Sequence, residues 1–221
     1  MEILLHTESV ISQLLDIAKK TLSIPEIEPY RLVGGTALAL RFGHRKSIDI
    51  DLFASEKLNK RKILKAITDA FPGSELDVTE HNVKGFINGI KIELFDGWHA
   101  PFQEKPVTIQ GIRMASLMDI ACLKLDAVIE RREKKDYIDL HFLFKELGGT
   151  KIFQTYRKFN PHVSDKSFLF ALNEVNTAYE NKSVMPEMIS SVSWKEISDS
   201  MYTVTRNYLS QQKGNNFGIS M

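Results

Sequence analysis

The sequence predicts an α+β chain in which strands and helices are interleaved through about residue 113 and helices alone follow. Three observations carry this expectation. Residues 48–53 (IDIDLF) alternate apolar and acidic positions, the period of a half-buried strand. Residues 83–87 and 90–96 are β-prone runs joined by Asn88-Gly89, a strong two-residue hairpin signal. Beyond Ser116 the period-two signal is gone and apolar residues recur at helical spacing.

In chain order, residues 9–21 set Val10, Leu14, Leu15 and Ala18 on one helical stripe. Residues 30–33 (YRLV) are short and β-prone and run into Gly34-Gly35. Ala37, Leu38, Ala39 and Leu40 then favour helix, and Gly43 is a natural stop. Residues 57–71 return to helical spacing and end at Pro72-Gly73. Strands are expected at 75–80, 83–87 and 90–96, and one short strand or pair over 106–114. Ser116 and Asp119 resemble a helix-start capping pattern. The helix that follows is expected to be interrupted near Lys134-Lys135 and to end at Gly148-Gly149. Pro161 and Pro186 break the remainder, and the polar tail from Gln211 is expected to fray. The pattern divides the chain into an α/β core, residues 1–113, and a helical domain, residues 114–221.

With 221 residues the chain is long enough to bury about 70% of its surface. Twenty-nine basic against twenty-eight acidic residues leave a net charge of +1, which argues against a wholly basic nucleic-acid wrapper but not against local basic patches. Cys122 is the only cysteine, so an intrachain disulfide and a cysteine metal cage are excluded, and its apolar surroundings read as a small buried hydrophobe. No basic segment followed by an apolar run opens the chain and no run reaches membrane-spanning length, so a cytoplasmic protein without a membrane partner is expected.

Chemistry is concentrated in a few places. Asp49 and Asp51, two apart on a strand, point to one side. Like charges on one face are costly unless a cation sits between them, and hard oxygen donors suit Mg²⁺, with Mn²⁺ as the alternative. Two solvated surface acids would leave the same letters. Gly34-Gly35, between a strand and a helix, lets backbone N–H groups approach a phosphate, and Thr36 adds a hydroxyl. A tight turn is the plainer reading of the glycines alone. The loop His44-Arg45-Lys46-Ser47 is either a phosphate clamp or a solvated turn. Trp98, His99 and Phe102 read as packing groups.

GGTALAL followed by HRKSIDIDLF resembles the DNA polymerase β-type nucleotidyltransferase superfamily, and more specifically the AbiEii/AbiGii toxin family. LKLDAV (123–128) and RREKKDYIDL (131–140) are similar to two further elements of that family, so the resemblance covers roughly residues 30–147. It implies the mixed sheet of the nucleotidyltransferase fold, flanked by helices, with the helical domain contributing to the nucleotide site. It further implies a nucleoside triphosphate bound near Gly34, Gly35, Thr36, Arg45, Ser47, Lys124 and Asp139. Asp49 and Asp51 would be catalytic and hold metal, and Lys124 and Asp136 would be catalytic partners. Glu93 is the candidate third carboxylate, with Asp96 as the lesser alternative; Lys91, Glu93 and Phe95 share one strand face. The matching reaction moves NMP to an acceptor hydroxyl, and the acceptor implied is tRNA or another RNA, in a type IV-like toxin–antitoxin or phage-abortive setting with a cognate antitoxin. The rivals are a transferase acting on protein and an inactive nucleotide-binding module. Lys124, Asp136 and Asp139 have structural readings too: a snorkelling lysine and acids favouring a helix start. Arg45, Lys46, Lys84, Arg131, Arg132, Lys134 and Lys135 are the basic groups that an RNA acceptor would be expected to touch.

Overall fold

The computed structural model describes residues 4–97 and 101–217, with side chains to residue 212. The chain divides into two compact units. One runs to Asp119 and takes in Glu187–Ser190; the other holds Ile120–Pro186 and the chain from Ser191 onward.

The first unit is built on a mixed seven-stranded sheet. Its strands are β1 (Arg31–Leu32), β2 (Ile50–Phe53), β3 (Glu75–Val78), β4 (Asn82–Ile87), β5 (Ile90–Phe95), β6 (Val107–Ile109) and β7 (Ile112–Met114), in the order β3-β4-β5-β2-β1-β7-β6. β2 pairs with β5 in parallel and β1 pairs with β7 in parallel; the other pairs are antiparallel. The Asn88-Gly89 turn forms as expected: Ile87 faces Ile90, and both turn residues have positive φ, 49° and 79°. Gln110 and Gly111 repeat the device between β6 and β7.

Helices α1 (Ser12–Leu22), α2 (Gly34–Phe42) and α3 (Lys60–Ala70) belong to this unit. Ile50, Leu52, Ile92 and Leu94 are buried completely with Leu38 and Leu40 of α2. The other face of β2 and β5 carries Asp51, Glu93 and Phe95, all half-buried, because successive strand residues point to opposite sides. β2 begins at Ile50, so Asp49 lies just outside it, closer to the loop than the alternation implies. Trp98 and His99 lie outside the described residues, while Phe102 packs under the Arg31 guanidinium, 4.1 Å from its ring centre.

The second unit is helical: α4 (Leu117–Glu130, whose first turn belongs to the first unit), α5 (Lys134–Leu147), α6 (Gly149–Phe159), α7 (Asp165–Asn173), α8 (Val175–Glu180) and α9 (Trp194–Phe217). Phe153, Tyr156, Phe168 and Tyr208 form its aromatic core. Ser116 caps α4: the Asp119 N–H donates to its hydroxyl at 3.0 Å. Asp119 also accepts from the Gln103 N–H at 2.6 Å, which holds the first turn of α4 to the first unit and sets the division after Asp119. The interruption expected near Lys134 falls at residues 131–133, with Arg132 at φ 50°. Cys122 is half-buried rather than enclosed. The helical backbone of α9 continues past Gln211 to Phe217, where fraying was expected.

Gly85 shows how closely β3 sits on β4. Its φ is 151°, and a Cβ there would overlap the Glu75 carbonyl oxygen. Gly85→Ala is expected to lift β3 off β4 and cost about 1–3 kcal/mol in urea unfolding, with faster amide exchange confined to β3. Wild-type stability and exchange would refute that assignment.

Candidate active site

Val33, which precedes α2, donates its N–H to the Asp51 carbonyl at 2.9 Å, so β2 is fastened next to the start of the helix. Gly34 adopts φ 67°, and a Cβ there would stand 2.7 Å from Asp51 Oδ2. Glycine is required twice over, by conformation and by the carboxylate lying across it. No side chain caps α2, so the N–H groups of its first turn face the same locality as Asp51.

The loop from His44 to Ser47 is fixed from several sides. The Arg45 guanidinium lies against Gly35, where any Cβ would collide with Nη2, and Nη1 donates to the Lys46 carbonyl at 3.0 Å. Arg45 is 4% exposed. Thr36 is buried; its hydroxyl donates to the Asp49 carbonyl and lies 2.8 Å from Ser47 Oγ. Thr36 therefore holds the backbone of Asp49, a positioning part that the sequence did not reveal. An extended strap, Glu187–Ser190, runs antiparallel to this loop: the Lys46 N–H donates to Glu187 at 2.8 Å and the Ile189 N–H to His44 at 3.0 Å. These are backbone bonds, which leave no residue-type signature.

Parallel pairing of β2 and β5 sets Glu93 directly beside Asp51. Asp96, the lesser alternative, is used elsewhere: it accepts from the Leu58 N–H at 2.9 Å and from Lys60 at 2.7 Å, with its side chain 1% exposed. Lys91, two residues before Glu93 on the same face, approaches Glu93 Oε1 to 3.2 Å. Burial would lower the Lys91 pKa, but the Glu93 hydrogen bond and the charges of Glu93, Asp49 and Asp51 raise it above its ordinary value. The Lys91 ammonium is thus stabilised beside Glu93, within reach of the charges of Asp49 and Asp51. The sequence carried the signal for this in the K-x-E spacing, which puts Lys91 and Glu93 on one strand face. The donors are hard oxygens of the kind Mg²⁺ and Mn²⁺ take. Among the described residues, no three His, Cys, Asp or Glu side chains are already closed around one point.

In the helical unit, Lys124 on α4 lies 2.9 Å from Asp136 Oδ1 and 2.7 Å from Asp139 Oδ2, both on α5. Arg131 adds a bidentate contact to Asp136, at 2.9 and 3.0 Å. Lys124 is 4% exposed and both aspartates are fully buried. Burial pushes the Asp136 carboxyl up, and the Lys124 charge with the Arg131 hydrogen bond outweighs it, leaving the pKa below the ordinary carboxylate range. The Lys124 ammonium meets two aspartates and links α4 to α5. The basic cluster is tied into the unit by pairings of its own, with the Arg131 and Lys135 side chains still 47% and 39% exposed. Arg131 holds Asp136, and Lys134 donates to the Asn181 and Ser183 carbonyls, each at 2.6 Å. Lys135 pairs with Glu133 at 2.9 Å, and Arg132 lies over the Phe170 ring.

Comparison with known proteins bears on the family and the fold. The family model described as nucleotidyl transferase AbiEii toxin, Type IV TA system, matches residues 24–210. An uncharacterized protein of Aquifex aeolicus (strain VF5), aq_aa25, is 27% identical over 201 residues, 86% of this chain and 93% of its own length. Among solved structures, JHP933 from Helicobacter pylori superposes with a TM-score of 0.54 at 19% identity, covering 94% of this chain and 98% of that one. ANT(2″)-Ia in complex with adenylyl-2″-tobramycin superposes with a TM-score of 0.55 at 20% identity, over 70% and 100% of the two chains. At these identities the two structures speak for the fold.

Two predictions follow from the geometry. Gly34→Ala forces both a strained φ and a displaced Asp51, so turnover is expected to fall while the melting temperature drops only slightly; wild-type turnover would refute the glycine's assigned part. Lys124→Ala leaves two buried carboxylates short of a cation and is expected to cost about 3–5 kcal/mol. A depressed Asp136 pKa stabilises the fold above the ordinary carboxylate range and loses that contribution as pH falls through the native value. Asp136→Asn should therefore flatten the acid limb of a stability-versus-pH curve measured by denaturant unfolding. A Lys124→Ala protein of unchanged stability would overturn the cross-link.

Proposed function

The chain belongs to the AbiEii nucleotidyltransferase toxin family, and on that premise we propose that it moves NMP from an NTP to an acceptor hydroxyl of tRNA or another RNA in a metal-dependent reaction. The chain is a nucleotidyltransferase; the metal, the acceptor and the toxin setting are the proposed parts. The observation that carries the reading is Asp51 lying over Gly34 with Glu93 beside it, because that brings carboxylates and an uncapped helix start to one place.

Triphosphate oxygens would meet the N–H groups at the start of α2, with Gly34 and Gly35 allowing the close approach. Arg45, seated on Gly35, lends positive charge to the same turn, while Thr36 and Ser47 hold the loop. Asp49, Asp51 and Glu93 would hold Mg²⁺ or Mn²⁺, which when bound supplies charge neutralisation on the pyrophosphate leaving group. The acceptor oxygen attacks the α-phosphorus in line, the bond to the bridging oxygen breaks, pyrophosphate leaves, and the hydroxyl proton passes to solvent or a carboxylate. Lys124, Asp136 and Asp139 serve by fixing α5 against α4. A cognate antitoxin and a phage-abortive setting follow from the family's type IV description and are proposals of the same standing. No helix of the described residues is long and apolar enough to cross a membrane.

The test is incubation of the purified protein with each labelled NTP, total RNA and total protein, with and without Mg²⁺ or Mn²⁺. Metal-dependent label on RNA is expected. Asp49→Ala and Asp51→Ala should each lower turnover more than about a hundredfold, since even groups that merely orient metal ligands account for 10–100-fold. Their melting temperatures should hold or rise as like-charge repulsion is relieved. Full activity of Asp49→Ala, or label confined to polypeptide, would overturn the metal site or the RNA acceptor respectively.

A further inference from the structure

The sheet face that carries Asp51 and Glu93 continues beyond them. Register places Lys84 of β4 beside Glu93 and Asp77 of β3 beside Lys84. The adjoining row holds Lys91, Phe86 and Glu75. Together they line an open groove of about 790 Å³. The apolar core is on the opposite face of these strands, where Val83, Ile87, Ile92 and Leu94 are buried. Phe86, 47% exposed, therefore covers no core, and its ring is presented from the groove side with Lys84 two residues away and Lys91 directly across.

We propose that this groove is the acceptor platform. A single-stranded RNA end stacks a base on Phe86, sets neighbouring phosphates at Lys84 and Lys91, and brings its terminal hydroxyl to the Asp51–Glu93 edge. The proposal rests on the RNA-acceptor reading above and names the surface that would serve it. An exposed aromatic with ammonium groups beside it on an open sheet is an arrangement that binds single strands, because stacking tolerates any base and the cations, here Lys91 across from Phe86 and Lys84 two residues before it, meet the backbone. Continuity with the carboxylates gives the strand its destination, since Lys91 stands at 3.2 Å from Glu93. Glu75 and Asp77 lie on the outer strand β3, the far rim of the groove, and repel a phosphate backbone from that side. A polypeptide acceptor would need neither the ring nor the cations beside it.

The experiment follows anisotropy of a fluorescein-labelled single-stranded oligoribonucleotide with a free 3′ hydroxyl, over a salt series, beside NMP transfer to total RNA and total protein. Phe86→Ala is expected to weaken oligonucleotide binding about tenfold, and Phe86→Trp to restore it. Lys84→Gln should reduce the slope of log affinity against log salt by about 0.7. NTP binding should be unchanged in all three, and exposed Phe86 and Lys84 leave the fold intact when replaced. If the wild-type protein labels RNA but Phe86→Ala and Lys84→Gln bind the oligonucleotide as it does, the platform is overturned and the RNA reading stands. If the wild-type protein labels only polypeptide and binds no oligonucleotide, both fall.

Discussion

Parallel pairing of β2 with β5 puts Asp51 beside Glu93, and this adjacency of like charges is the constraint around which the first unit is arranged. Neighbouring strands are about 4.8 Å apart, so two carboxylates in register repel unless positive charge is brought to them. The sheet meets the requirement from two directions. Lys91 precedes Glu93 on its own strand face, and Lys84 faces Glu93 from β4. The alternation of the strands then keeps the charged row out of the core: Ile50, Leu52, Ile92 and Leu94 supply the buried side, and the acids stay where solvent or a ligand can reach them. Gly34 completes the arrangement, because only a residue without a Cβ lets the Asp51 carboxylate lie over the start of α2.

Much of this was legible in the letters, for identifiable reasons. Period-two alternation reports which residues share a face, and it separated Asp51, Glu93 and Lys91 from their apolar neighbours. Asn-Gly at 88–89 and the Ser116–Asp119 pair report backbone conformation through residues that few other sites tolerate. Periodicity does not report which strand neighbours which, so the choice between Glu93 and Asp96 waited on register: Glu93 falls opposite Asp51, whereas Asp96, just past the strand, is drawn away to Leu58 and Lys60. Bonds made by backbone alone were invisible. The strap Glu187–Ser190 is held to His44 and Lys46 through main-chain groups that any sequence could supply, so its return to the first unit leaves no mark in the sequence.

Charge counting does not report pairing in the helical unit. Arg131, Arg132, Lys134 and Lys135 form a basic run in sequence, and each also has a protein partner: Asp136 for Arg131, the Phe170 ring for Arg132, main-chain carbonyls for Lys134 and Glu133 for Lys135. Lys124 shows the same effect more strongly. Its apolar neighbours on α4 announced burial, but burial of an ammonium is tolerated only where carboxylates meet it, and Asp136 and Asp139 come from a separate helix.

The two units therefore use charge in opposite ways, and the difference follows from where water is. Around Lys124 the pairings are short and the groups buried, so removing one partner would strand a charge; that cluster holds α5 to α4. On the open face of β5 and β4, the Lys91–Glu93 contact is longer and half-exposed, so exchanging one partner for a phosphate or a metal costs little. A site that must take up and release charged substrates needs contacts of the second kind, held in place by contacts of the first. Asp51, Glu93, Lys91 and Lys84 have that character because the backbone bonds of β2, β4 and β5, and not the charges themselves, fix where they stand.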